Sequence, residues 1–266
     1  MKRFILMICA VMIVALPGLG NAGSSETAKP VLPFNDVAKF SNRVQQDLAA
    51  RGAHVAIVSR MGRNPSELPR GITYTHVGFW VYSQITNADG TTGRGYRAYN
   101  LYQQADDKTR SRLVQDTPAD FFAGARRLDA GVIIPDPRLQ RKLLRVITSP
   151  TYAQLHNANY SVLANPNTRQ FQNCTEHTLD VLMASLYSTG DRAQIKSNIS
   201  AHFQPQPVRL GGVRRLLAST ASGALTTVDH GASVRTATFG SIARFMKDNG
   251  LASDVYRITP SRISGF

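Results

Sequence analysis

Cysteine is almost missing from this chain. Its 266 residues hold two, Cys9 and Cys174, and Cys9 lies inside an N-terminal apolar run. If that run is removed, one thiol is left without an internal partner, which excludes an internal disulfide framework. Acidic residues are scarce too, with 17 Asp and Glu against 31 Lys and Arg and a formal charge of +14. Such a balance draws a protein towards anionic surfaces. The basic residues are scattered, and no single block has interleaved aromatics, which argues against a specific nucleic-acid partner. Beyond residues 4–16 no stretch is apolar for long enough to cross a bilayer, and there is no internal repeat or low-complexity segment.

Residues 1–22 have the build of a secretory leader. Lys2 and Arg3 precede a thirteen-residue apolar run over 4–16, and Gly20 and Ala22 occupy the small positions of a cleavage site before Gly23. The run is too short for a membrane span. Cys9 is inside it rather than at its end, so it does not read as a lipid attachment site. Loss of Lys2 and Arg3 brings the charge to +12. The expected organisation is a signal peptide (1–22), a flexible leader (23–35), one α+β domain (36–258) and a C-terminal tail (259–266), in a periplasmic or secreted protein.

Within the domain, Val37, Phe40, Val44 and Leu48 recur at helical spacing before Gly52. Residues 54–60 and 130–135 read as strands. Residues 74–85 and 96–103 read as a hairpin with a long loop. Helices are expected over 116–128, over 136–147 with Asp136 as cap and Pro137 at the first position, and over 238–250. Residues 159–164 read as a possible strand. Strands and helices mix without strict alternation, which is the α+β pattern.

Cys174 opens a further helix. Leu179, Leu182, Met183 and Leu186 form one stripe, Asn173 is a good N-cap, and Glu176 stands where a capping box needs it. Cys174 lies about 130° from the centre of that stripe. A helix N-terminus favours a thiolate and offers N–H groups to an oxyanion. The helix alone leaves two readings open, nucleophile or small packing residue.

A thiol nucleophile needs a base, normally histidine. Of the six histidines, His54 looks like an edge residue, His156 and His202 sit in polar loops, and His177 faces away from the stripe. His230 follows Asp229. His76 lies in an apolar strand beside Gly78, where another chain segment or a substrate can come close. If the next strand pairs with even parity, Asn100 shares a face with His76. Cys174 and His177 also have a Cys-x-x-His spacing, but no second pair accompanies them to complete a zinc site. No metal and no cofactor is expected.

The histidine in "THVGF", a polar residue on the next strand and a later "NCTEH" at a helix start resemble the circularly permuted branch of the NlpC-type papain-like superfamily, to which lecithin:retinol acyltransferase belongs. The whole of 36–250 also resembles a bacterial exported family catalogued as a domain of unknown function, through "HVAIVSRMGR", "FFAGARRLDAGVIIPDPRLQ" and "TRQFQNCTEHTLDVL". The first resemblance implies a permuted papain-like fold with an antiparallel sheet against the Cys174 helix. It implies Cys174 as nucleophile, His76 as base and Asn100 as the residue that orients the imidazole. Thr175 is an insertion relative to the superfamily's Asn-Cys-Glu-His, which turns Glu176 and His177 by about a third of a turn.

The expected function is a thiol hydrolase or acyltransferase acting on an amide or ester of a cell-wall peptide, another peptide or an acyl lipid. Trp80, Tyr82, Tyr99 and Tyr102 are candidates for an apolar cleft wall. The alternative is a non-catalytic binding protein on the same scaffold. The protein recovered from an exported fraction is expected to begin at Gly23; Met1 as the N-terminus there contradicts the assigned cleavage.

Overall fold

The computed structural model describes residues 30–64, 66, 68–86, 89–209, 211 and 225–266. The leader over 1–22 and most of the flexible segment over 23–35 lie outside the described residues.

β1 (Val55–Arg60) and β5 (Ala130–Pro135) are buried at every position. Short runs of that kind belong in the middle of a sheet covered on both faces. They form the centre of a seven-stranded sheet of order β4-β3-β2-β1-β5-β8-β9. The other strands are β2 (His76–Thr86), β3 (Thr92–Gln103), β4 (Ser111–Asp116), β8 (Ala252–Ile258) and β9 (Ile263–Gly265). Every neighbouring pair is antiparallel. β6 (Gln206–Pro207) and β7 (Arg235–Thr236) form a separate two-stranded pair.

Helices cover both faces. On one, α1 (Phe34–Ala50) and α2 (Pro118–Ala123) bring Val37, Phe40, Val44, Leu48 and Phe122 against Ala56, Val58 and Trp80. On the other lie α3 (Pro137–Ile147), α4 (Pro150–Gln154), α5 (Cys174–Tyr187), α6 (Arg192–His202) and α7 (Phe239–Asp248). Their apolar residues meet Val55, Ile57, Val77, Phe79 and Val81. Residues alternate between the faces along a strand, so in β2 the odd-numbered side chains face α5 and the even-numbered ones face α2. Gln140 of α3 ties helix to strand: its Oε1 accepts from the amides of His54 and Val55, at 2.8 and 3.1 Å.

The architecture is α+β, with a large antiparallel sheet packed against the Cys174 helix. Several boundaries differ from expectation. The hairpin strands run further than predicted, so β2 ends at Thr86 and β3 begins at Thr92. The helix expected over 116–128 stops at Ala123, with Gly124 at its C-cap. Residues 159–164 form no strand; only isolated bridges at Asn159 and Tyr160 occur there. β4 had no counterpart in the sequence reading. The C-terminal tail joins the sheet, since β9 pairs with β8 from Tyr256↔Gly265 to Ile258↔Ile263.

The packing of α7 on β5 depends on a missing side chain. A Cβ at Gly131 would lie 2.4 Å from the Phe239 ring and 2.8 Å from Ser59 Oγ. Gly131→Ala is expected to destabilise the fold by about 1–3 kcal/mol, the usual range for overpacking, measured by urea unfolding. An unchanged midpoint would show that Phe239 can move aside freely.

Candidate active site

The helix that carries Cys174 is capped as expected at its main chain only. Asn173 Oδ1 accepts from the Glu176 amide at 2.9 Å, and Asn173 Nδ2 donates to the Val162 carbonyl at 3.1 Å. The capping box is not completed. Glu176 instead accepts from Lys196 Nζ at 2.7 Å, and so does Asp180. Burial drives this choice: α5 is enclosed from Cys174 to Ser185, so it has no solvent face on which a free carboxylate could sit. Two buried carboxylates need a cation, and Lys196 of α6 supplies it.

The same enclosure corrects the reading of His177. It is 2% exposed, neither ring nitrogen has a hydrogen-bond partner among the described residues, and its ring lies against Tyr152 and near His156. Among the described residues no group of three or more His, Cys, Asp or Glu side chains could hold a metal ion.

Cys174 is 5% exposed and packs with Leu101 and Tyr160. Its sulfur lies 3.9 Å from the Thr75 carbonyl oxygen and 3.8 Å from Thr175 Oγ1, and it also meets the Val77 amide. Thr75 and Val77 are the two chain neighbours of His76. Burial pushes the thiol pKa up from its ordinary value, outweighing the Val77 amide, the Thr175 hydroxyl and the charge of Arg60. The helix start therefore does not yield the lowered pKa that position alone suggests; desolvation is the larger effect.

His76 and Asn100 are brought together. β2 and β3 pair from Thr86↔Thr92 to Phe79↔Tyr99, and the ladder ends there. Continuing that register sets Gly78 opposite Asn100, so the parity is even and His76 shares its face. Asn100 Oδ1 lies 3.1 Å from His76 Nε2. It can do so because Gly78 has no side chain: a Cβ there would be 2.4 Å from Asn100 Oδ1. His76 is fully buried, stacked on Tyr102 at 4.7 Å between centroids and tilted against Phe121 of α2 at 5.4 Å. Burial, then the charge of Arg60, hold its imidazole well below the usual histidine pKa. Among the described residues its Nδ1 has no hydrogen-bond partner.

The thiol thus reaches β2 from the α5 side, while the ring leans towards α2. Cys174 is placed against the main chain on both sides of His76, but no hydrogen bond joins the sulfur to the ring. Arg60, which pairs with His76 across β1 and β2, is also fully buried. Its guanidinium lies over the rings of Tyr102 and Phe121.

A small pocket of about 80 Å³, partly open to solvent, meets Cys174. Thr75, Tyr160 and Thr175 line it near the sulfur, Gln103 lines it as well, and Leu68, Ile72, Val162 and Leu163 add apolar wall. The aromatic wall expected from Trp80, Tyr82, Tyr99 and Tyr102 is not there. Trp80 and Tyr102 are buried on the α2 face instead, and the aromatic lining comes from Tyr74 and Tyr160. Sequence reasoning missed Tyr160, Gln103, Arg60 and Asp116. Only the even-numbered positions of β3, once paired with β4, could have pointed to Asp116. Among the remaining histidines, His54 and His202 are exposed, His156 Nε2 lies 3.0 Å from Ser111 Oγ, and His230 donates to the Leu163 carbonyl at 2.7 Å.

No helix of the described residues is long and apolar enough to cross a membrane. No curated protein and no solved structure matches the chain. The model of a family described as an uncharacterized protein conserved in bacteria, DUF2145, matches residues 47–246. That span covers β1 to β7 and almost all of α7, and it includes His76, Asn100 and Cys174. The chain belongs to the DUF2145 family.

Proposed function

We propose that this protein is an exported thiol hydrolase or acyltransferase that cleaves an amide or ester through Cys174, His76 and Asn100. One arrangement carries the reading. His76 gives its Nε2 to Asn100 and keeps a bare Nδ1, and Cys174 sits at a pocket against the residues on either side of that histidine. This division of the imidazole, one nitrogen held and one free, is what a papain-like base requires.

In the reaction, His76 Nδ1 takes the thiol proton and the sulfur attacks the substrate carbonyl, forming a C–S bond. The oxyanion is met by the first-turn N–H groups of α5, at Cys174 and Thr175. The tetrahedral species collapses, the C–N or C–O bond breaks, and the imidazolium returns its proton to the leaving amine or alcohol. Water, or an acceptor alcohol or amine, then attacks the thioester while His76 accepts its proton, and the thiol is restored. At rest the pair is neutral thiol and neutral imidazole, and proton transfer requires the His76 ring to turn from its stack on Tyr102 and Phe121 towards the sulfur on the α5 side. The apolar wall suits an acyl group or a peptide with apolar side chains, from the cell wall or from lipid. The basic surface suits work near anionic polymers or headgroups.

A second reading, a non-catalytic binding protein using the same pocket, draws on the missing sulfur–imidazole bond and the raised thiol pKa. p-Nitrophenyl acetate separates the two. The thiol hydrolase or acyltransferase reading expects Cys174 to gain an acetyl group by mass spectrometry, Cys174→Ala to gain none there, and His76→Ala to be acylated about 10²–10⁴-fold more slowly. Acylation at the wild-type rate in His76→Ala removes histidine from the scheme, and a wild-type Cys174 that is acylated only after unfolding leaves the binding reading.

The pKa directions predict the pH dependence. A base must be unprotonated, and His76 is held low, so the acid limb of the acylation profile is expected below pH 6.5, the ordinary histidine value. A thiol pushed up is mostly protonated at neutrality, so direct alkylation by iodoacetamide is expected to be slow at pH 7 and to rise only at alkaline pH. Fast alkylation at pH 6 contradicts the neutral resting pair.

A further inference from the structure

The Asn100 carboxamide has two ends, and the end facing His76 decides which ring nitrogen carries the proton. An amide oxygen accepts from an N–H, whereas an amide nitrogen donates to a bare ring nitrogen. Asn100 cannot make this choice by itself, because either end could meet the imidazole. The choice is made by two acceptors, one on β4 and one on β3. Ala98 pairs with Asp116 across β3 and β4, which places Asp116 on the same face as Asn100 and diagonal to it. Asp116 Oδ2 accepts from Asn100 Nδ2 at 3.1 Å, and the Ala98 carbonyl accepts from the same nitrogen at 3.3 Å. A carboxylate and a carbonyl can only accept. Both therefore select the NH₂ end, and Oδ1 is turned towards His76 Nε2.

We propose that Asp116 is a positioning residue that fixes the Asn100 amide and, through it, holds His76 in the tautomer with a protonated Nε2 and a bare Nδ1. This rests on the thiol chemistry proposed above for its catalytic meaning, though not for its geometry. With the amide reversed, Oδ1 would face the Asp116 carboxylate and the Ala98 carbonyl, acceptor against acceptor. Nδ2 would then demand a bare Nε2, and the proton would move to Nδ1, the atom that has to receive the thiol proton.

Asp116 holds the ring in a second way. Its Oδ2 also accepts from the Tyr102 hydroxyl at 2.6 Å, and Tyr102 is the ring stacked on His76 with 9° between planes. One carboxylate oxygen therefore anchors both the hydrogen-bond partner and the stacking partner of the imidazole. It also provides negative charge for the buried Arg60, whose field is felt at Asp116, His76 and Cys174. Asp116 itself is partly exposed at a hollow bounded by α1, β3 and α2.

The test uses the full chain labelled with ¹⁵N-histidine, with His76 assigned by comparison with His76→Phe. The wild type is expected to show the Nε2–H tautomer at His76. Asp116→Leu removes the acceptor and is expected to give the Nδ1–H form or a mixture. Asp116→Asn can present an oxygen to both donors and is expected to restore the Nε2–H form. In the acylation assay, Asp116→Leu is expected to lower the maximal rate about 10²-fold at unchanged half-saturation, and to add no further loss in an Asn100→Ala background, since the two act as one unit. If Asp116→Leu does not fold, Asp116→Ser, whose hydroxyl falls short of Asn100, is read in the same way. A His76 that keeps the Nε2–H tautomer in the Leu or Ser variant overturns the proposal. A wild-type thiol that is never acylated sinks the catalytic reading alone, because the tautomer is measured independently of it.

Discussion

The Asn100 carboxamide lies where a Gly78 side chain would be, and the candidate site is arranged around that intrusion. Two antiparallel strands normally keep their ladder to the end. Here the β2–β3 ladder ends at Phe79↔Tyr99, and β3 continues with β4 alone to Gln103↔Ser111. The polar amide and the Tyr99 carbonyl both occupy the space a Gly78 side chain would need. This lets a buried histidine find a partner for one nitrogen, as a buried polar group must, while its other nitrogen stays free. The N-terminus of α5 then delivers Cys174 to the main chain of residues 75–77. Sheet register, a glycine and a helix start, contributed by distant parts of the chain, meet within a few residues of β2.

The electrostatics of the site follow from burial more than from local motifs. Cys174 stands at a helix start with a cation in reach, yet desolvation raises its pKa. His76 is depressed for the same reason, with Arg60 acting in the same direction. Both groups therefore rest uncharged, and a preformed thiolate–imidazolium pair is not part of the account. Water-poor surroundings that disfavour charge at rest also strengthen fixed dipoles when charge develops. The α5 amides and Asn100 gain importance accordingly.

Much of the fold was readable where local signals and tertiary packing agree. The strand read over 130–135 coincides with the observed β5. α3 was read through Asp136, which caps it by accepting from Arg138 and Leu139, with Pro137 following. Alternation puts His76 and Asn100 on one face only if the strands pair with even parity, and the long hairpin loop leaves that register open in the sequence. What failed was whatever depends on neighbours that sequence does not reveal. The α5 stripe suggested a half-exposed helix, but α3, α4 and α6 close over it, so Glu176 and His177 are interior residues. β4 carries a weak apolar pattern because it is an edge strand, and Asp116 at its end looked like part of a helix start. The aromatics of β2 and β3 were legible as strand residues, but which of them meet the pocket depends on which helices cover each face.

The central claim is that Cys174 and His76 act on one carbonyl. The most direct measurement is a crystal structure of the chain carrying a halomethyl-ketone or acyl adduct on Cys174. The account predicts the adduct oxygen at the first-turn amides of α5 and His76 Nδ1 within about 4 Å of the sulfur, with Nε2 still held by Asn100. An adduct on the sulfur with the imidazole still directed away, its Nδ1 out of reach of both sulfur and adduct, would contradict it.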